Sequence, residues 1–335
     1  MGNVDIQIAD KVDSNIWNES IKGSPYGTIY QTTYYADYAK TILGWKPIYI
    51  TAKVEKEIGQ LLLFLAPRFE RIFHERKLAH NLCNVFSRIR PVAHWFFGPV
   101  TSGNAILYLS LLKTATNFIK KRMGVVAEAL PHPLDDKEPL FIKANFTPEK
   151  RGAFIIDLKQ NIPTLWGSLE KKSARKNIER AIERGVTITT AETYKDIEGY
   201  HRVLTETRVR DGLKSSSLMD IYTFWKMLRN EKSMECFVAK YEGRVMAGLF
   251  VSTFNGYLNE WGAAVSTDAI KDRLYASELL RWHVIKWGHE QGFRYYDMTG
   301  VNPNPTSDKE SGIFRFKQKF GGKLILYNHY RLLRS

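Results

Sequence analysis

Lys317 stands between Phe316 and Phe320 in SGIFRFKQKFGG, and Asp297 sits near the end of the aromatic run FRYYDM, two positions before Thr299. A cation and a carboxylate beside a polar loop are residue types that can stabilise developing charge and move a proton. On residues alone each also has a structural reading. Lys317 fits a solvated lysine between two buried phenylalanines, and Asp297 fits a carboxylate that ends a strand. No Cys–His or Ser–His–Asp arrangement is evident in the sequence. The two cysteines, Cys83 and Cys236, lie far apart, and none of the eight histidines is spaced with carboxylates or cysteines as metal ligands are. No metal or disulfide framework is expected.

The elements around these residues are legible. Leu279, Leu280, His283, Val284 and Trp287 recur at three- and four-residue spacing, which predicts a helix over Ala276–Glu290. Gly292 suits a left-handed helix exit. Phe293–Met298 reads as a buried strand and Thr299–Lys309 as a loop. A helix feeding a strand that ends in a polar loop puts the loop at the strand's carboxyl end, where α/β sheets commonly hold ligands.

The first half follows a similar plan. Ser24, Pro25 and Gly27 form a turn, and Gln31–Leu43 reads as a helix with Tyr34, Tyr35, Tyr38 and Ile42 on one side. Ile48–Leu65 reads as a hairpin turning at Lys56–Gly59, and Cys236–Thr253 as a second hairpin. In each half an amphipathic helix and a strand follow, Ala105–Arg122 with Val125–Leu130, and Ala276–Glu290 with Phe293–Met298. An internal duplication of two α/β units with mixed sheets is therefore expected. The Pro- and Asp-rich stretch 131–150 places the boundary, giving domains 1–150 and 151–335.

Basic residues are unevenly spread. The chain of 335 residues carries a net charge of +14. Such an excess favours polyanionic ligands, whether nucleic acid, anionic lipid or phosphorylated compounds. Arg68–Arg90 interleaves basic and apolar residues, as a membrane- or nucleic-acid-facing segment does, though an ordinary excursion with solvated arginines reads equally well. Pro163–Gly185 reads as one helix in which Lys171, Lys172, Arg175, Lys176, Arg180 and Arg184 crowd one side. By composition alone a solvated, ion-paired face explains it better than a phosphate-facing one. No secretory signal and no apolar run of roughly 20 residues is present, so a cytoplasmic protein is expected, with peripheral contact at the inner membrane face as an option.

Taken in order, RGAFIIDL, SARKNIERAIERGVTI, the FVAKYEGRVMAGLF hairpin, YASELLRWHVIKWGHEQGFRYYDMTG and FRFKQKFGG resemble the FemABX, or lipid II:glycine glycyltransferase-like, aminoacyltransferases. SPYGTIYQTTYYADYAK and FFGPVTSG extend the resemblance over nearly the whole chain. It implies two tandem GNAT-like (N-acetyltransferase-type) domains, without the coiled-coil arm of several members, since no heptad run is present. It also implies transfer of an amino acid from aminoacyl-tRNA to an amine of a peptidoglycan or other envelope precursor, as a nucleotide- or lipid-linked muropeptide, with no further cofactor. An interdomain cleft would hold that acceptor. Lys317 matches the lysine such enzymes place near the reacting ester, with Phe316 beside it. Lys40, Arg208, Arg210 and Lys214 lie in stretches corresponding to the acceptor-binding ones, and Arg175, Lys176 and Arg180 are candidates for tRNA contact. Thr299 stands where a glycine is usual.

Aminoacyl transfer suits this inventory, because the donor ester is already activated and the enzyme must mainly position and stabilise. Direct attack is expected, with Lys317 meeting the developing negative charge and Asp297 orienting the amine or accepting its proton. One rival is an acyl-CoA-dependent N-acyltransferase. It normally grips pyrophosphate with a glycine-containing turn at a helix N-terminus, and Ser266–Leu280 contains no glycine. The other rival is a non-catalytic module binding RNA or anionic lipid.

Overall fold

The computed structural model describes residues 4–66, 91–121 and 127–332. The basic stretch Arg68–Arg90, Cys83 and Gly124 lie outside them. The chain forms two compact units, Met1–Arg151 with Leu326–Ser335, and Gly152–Ile325.

In the first unit, β1 (Asp5–Ala9) leads to α1 (Ser14–Gly23) and α2 (Thr33–Ile42), then to β2 (Lys46–Val54), β3 (Glu57–Ala66) and β4 (Val92–Phe96). After α3 (Ala105–Lys121) come β5 (Ala127–Leu130) and α4 (Glu138–Lys143). The strands run in the order β1-β2-β3-β4-β5. All pairs are antiparallel except β4 with β5, which α3 connects. Leu61, Leu63 and Leu65 alternate along β3 into a core shared with Leu107, Leu111 and Leu112 of α3. The first hairpin turns more tightly than its composition suggests. Val54 pairs with Glu57, so Glu55 and Lys56 alone make the turn. Gly59 lies within β3, where a Cβ would sit 3.0 Å from Leu111 and 3.1 Å from Thr101. Its small size serves packing against α3, not turning.

The second unit begins within β6 (Thr147–Asp157), followed by α5 (Ile162–Ser168), α6 (Lys176–Glu183), β7 (Thr187–Thr190), α7 (Tyr194–Arg210) and α8 (Leu218–Asn230). Capping boxes start both α7 and α8, Thr193 with Asp196 and Ser217 with Asp220. Next come β8 (Met234–Tyr241), β9 (Arg244–Phe254), β10 (Tyr257–Val265), α9 (Thr267–Lys271), α10 (Ala276–Glu290), β11 (Tyr295–Val301), α11 (Asp308–Gln318) and β12 (Lys323–Leu332). The β8–β9 hairpin turns at Glu242 and Gly243, both left-handed at φ 49° and 74°, as its two-residue length requires. Reading inward from β7 the order is β7-β8-β9-β10-β11-β6, and the one parallel pair is β10 with β11, bridged by α10.

The two units therefore repeat one plan, two helices between the first and second strands and a long helix, α3 or α10, across the parallel pair, as the duplication predicts, with the short α9 added in the second unit. Chain order misplaces only the last strand. β6 pairs with β11 in the second unit, whereas β12 pairs with β5 in the first through Tyr330–Leu332 and Ala127–Ala129. The C-terminal strand thus completes the first unit's sheet, which is why Leu326–Ser335 belongs with the first unit rather than with the second half.

Pro163–Gly185 is not one helix. α5 ends at Ser168, Leu169 and Glu170 are extended, and a π-helical turn at Lys171–Arg175 leads into α6. The break is held by Glu170, whose backbone N–H donates to Lys319 O at 2.9 Å. Gly321 allows the close approach, since a Cβ there would meet Ser168 at 2.5 Å.

Candidate functional site

β10 and β11 run side by side only from Tyr257 to Asn259 and from Tyr295 to Asp297. Beyond that point the two strands no longer pair, although β10 continues to Val265 and β11 to Val301. Both bulge at this level. The register of β10 against β9 shifts between Trp261 and Ala264, and that of β11 against β6 between Asp297 and Gly300. Bulges of this kind re-aim side chains and end pairing. The seam that opens is where the chemistry-bearing residues of the second unit collect.

Asp297 sits at the last paired position and is 1% exposed. Its Oδ2 accepts from the Tyr257 hydroxyl at 2.7 Å and from Asn259 Nδ2 at 2.9 Å, and its Oδ1 from the backbone N–H of Thr299 at 2.7 Å. Burial pushes its carboxyl above the usual range, against those hydrogen bonds and the charge of Lys317. Thr299, two residues on, is left-handed at φ 66°. A β-branched residue is strained there, at a cost of about 1–2 kcal/mol, whereas glycine is not.

Lys317 reaches the same turn from α11. It is buried, 9% exposed, so the solvated reading does not hold. Its Nζ donates to Thr299 Oγ1 at 3.1 Å and to Gly300 O at 3.2 Å. Burial lowers its pKa, Arg281 lowers it further, and Glu260 and Asp297 oppose the change. An ammonium has three N–H bonds, so two anchors leave one for a ligand. The loop between β11 and α11 is braced by Glu310, which accepts from Asn302 and from the backbone N–H and hydroxyl of Thr306.

Sequence reasoning missed a second charged layer beneath. Glu260 on β10 and Arg281 on α10 are 4% and 5% exposed. Arg281 Nε lies 2.7 Å from Glu260 Oε1, which also accepts from the Tyr296 hydroxyl at 3.0 Å. The available signal was a charged residue inside each of two apolar runs, YLNEWGAAV and SELLRWHVIKW. Tyr257 and Asn259 were also overlooked, although their i, i+2 spacing on one strand puts both on the face of Asp297.

The other expected site residues are dispersed. Phe316 is half-buried, its ring under the Arg281 guanidinium at 4.7 Å and Lys319 Nζ at 4.2 Å. Lys319 also pairs with Glu278 at 3.0 Å. Arg208 and Arg210 lie in the last turn of α7, and Lys214 is exposed in the loop after it. Arg210 Nη2 donates to Val265 O at 3.2 Å, tying α7 to the end of β10. Lys40 is exposed in α2 of the first unit. Arg175 and Lys176 lie where the π-helical turn meets α6. Arg180 packs over the Tyr275 ring at 5.9 Å. Tyr275 precedes α10 and is left-handed at φ 53°, like Arg273 at 52°. The loop takes up, without glycine, the conformation that glycine usually supplies.

A family described as acetyltransferase (GNAT) domain matches residues 170–318, which include Asp297 and Lys317. Compared by sequence, no curated protein matches the chain. Among solved structures, that of FemX is similar at a TM-score of 0.75 and 14% identity, over 98% of this chain and 97% of that one. L-PGS from Bacillus licheniformis is similar at 0.60 and 13% identity, over 98% and 94%. A tandem GNAT protein from the clavulanic acid biosynthesis pathway is similar at 0.57 and 11%, over 98% and 97%. At such identities the likeness is one of fold. Among the described residues no helix is long and apolar enough to cross a membrane. The chain thus carries two tandem GNAT-like units, its fold is similar to that of FemX over nearly the whole chain, and the resemblance to Fem aminoacyltransferases legible in its sequence holds in the fold.

Proposed function

We propose that this chain is an acyl-group transferase that moves an amino acid from aminoacyl-tRNA to an amine of a cell-envelope precursor. The observation that carries the reading is the buried Lys317 ammonium, anchored by Thr299 Oγ1 and Gly300 O beside the open β10–β11 seam. In the proposed reaction the acceptor nitrogen attacks the ester carbonyl carbon. Negative charge develops on the carbonyl oxygen, and the third N–H of Lys317 donates to it. The C–O bond to the ribose then breaks, the new C–N bond remains, and the proton lost by the amine passes to the ribose oxygen. Asp297 already accepts three hydrogen bonds, so it acts by positioning the Thr299–Gly300 turn rather than by taking that proton.

The donor assignment is supported by the fold likeness to FemX and by the exposed basic residues near α6. The precursor is proposed to be a nucleotide- or lipid-linked muropeptide, with the reaction on the cytoplasmic side of the inner membrane. A second reading keeps the chemistry and replaces the donor with acyl-CoA. It is favoured by the α10 N-terminus, which has no side-chain cap and follows the left-handed Tyr275. Such an end favours phosphate. Labelled aminoacyl-tRNA and labelled acetyl-CoA, each offered with the same amine acceptors, separate the two. Label reaching the acceptor from tRNA alone supports the first reading. Label from acetyl-CoA alone replaces it with the second.

A further inference from the structure

The first unit holds a cavity of about 340 Å³ that the proposed chemistry does not use. Small-molecule sites occupy roughly 300–1,000 Å³. It lies against one face of the β1–β2–β3 sheet, under α1. Its floor is aromatic. Trp17 and Tyr49 are 3% and 6% exposed and meet edge-to-face with centroids 5.0 Å apart. Trp17 is fixed, because its Nε1 donates to Gln31 O at 2.7 Å.

Three features of this cavity are unspent. Burial of the ring raises the pKa of Tyr49, while its hydroxyl makes no hydrogen bond among the described residues and stays open to solvent in the cavity it lines. Lys11 and Lys53 line the cavity and make no ion pair among the described residues. The carboxylate of Asp13, which also lines it, is engaged as the cap of α1, accepting from the Ile16 N–H at 3.0 Å. Finally, Ile16 and Ile58 line the mouth while 72% and 40% exposed, leaving apolar surface in water.

We propose that this cavity binds a small organic anion with a flat unsaturated ring. The ring packs against the edge-to-face Trp17–Tyr49 pair and is covered by Ile16 and Ile58. A ring heteroatom or substituent meets the Tyr49 hydroxyl, and the anionic group meets Lys11 and Lys53. Two sources share this chemistry, an aryl carboxylate and a nucleoside monophosphate.

Calorimetric titration of the full chain with indole-3-acetate and with adenosine monophosphate, alongside 3-methylindole and adenosine, tests it. Saturable binding by one anion, at least about tenfold tighter than its uncharged analogue, is expected and names the source. The double substitution Lys11→Gln, Lys53→Gln should weaken that binding about tenfold, as two charge contacts imply. Ser20→Phe, which fills the cavity from α1, should abolish it. Both lysines are exposed, so an unchanged thermal melt is the control for folding. The proposal is overturned if neither anion binds at millimolar concentration. It is equally overturned if the uncharged analogues bind as well, or if binding survives both the double substitution and Ser20→Phe unchanged.

Discussion

The ammonium of Lys317 lies 3.1 Å from the hydroxyl of Thr299, a residue whose own backbone N–H is held by Asp297 at 2.7 Å. A residue in a strained, left-handed conformation thus links the buried cation to the buried carboxylate. Strain of this kind persists only where the surroundings over-determine it. Here the Asp297 carboxylate, the β11 bulge and Lys317 together do so.

Replacing Thr299 separates strain from function. Thr299→Gly relieves about 1–2 kcal/mol of backbone strain and gives up a hydrogen bond of about 1 kcal/mol. Folded stability should therefore stay level or rise by up to about 1 kcal/mol in urea unfolding. Transfer should fall about tenfold, because Lys317 loses one of its two anchors. A variant less stable than wild type by several kcal/mol would contradict the strain assignment.

The protonation of Lys317 has a signed consequence for stability. Its pKa in the folded chain is lowered below the ordinary 10.5, chiefly by burial. Between the folded pKa and 10.5 the unfolded chain binds more protons than the folded one, so this residue adds stability as pH rises through that window. Lys317→Met should remove the gain. The difference in unfolding free energy between wild type and Lys317→Met should move in favour of wild type from neutral pH toward 10.5. A difference independent of pH would show that Lys317 is not desolvated.

Arg281 offers a test of the layer below. Arg281→Met leaves Glu260 buried with the Tyr296 hydroxyl as its remaining hydrogen-bond donor among the described residues. Removing one partner of a buried ion pair costs about 3–5 kcal/mol. A loss of that order in denaturant unfolding is expected, whereas the double variant Arg281→Met, Glu260→Leu should recover part of it.

Much of this architecture is local and was legible. The helix Ala276–Glu290 ends as its apolar spacing predicts, and Gly292 is left-handed at φ 76°. Both hairpins and the duplicated plan follow from alternation and turn residues. What escaped is non-local. The return of β12 to the first unit depends on pairing with β5, far away in sequence, which periodicity does not encode. The break at Leu169–Glu170 depends on Lys319 O and on space above Gly321, both distant in sequence. Within the site, Lys317 and Asp297 could be named from residue types and resemblance. The burial of Lys317 and the three donors on Asp297 could not, because they require β10, β11 and α11 to be brought together first.

The most direct test of the central claim is single-turnover transfer of labelled amino acid from aminoacyl-tRNA to a muropeptide acceptor, comparing wild type with Lys317→Ala. Circular dichroism on the same samples controls for folding. Loss of one donor to a developing oxyanion costs about 100- to 1,000-fold. The account predicts transfer by wild type and a loss of that size in a folded variant. Transfer by folded Lys317→Ala at the wild-type rate would contradict it.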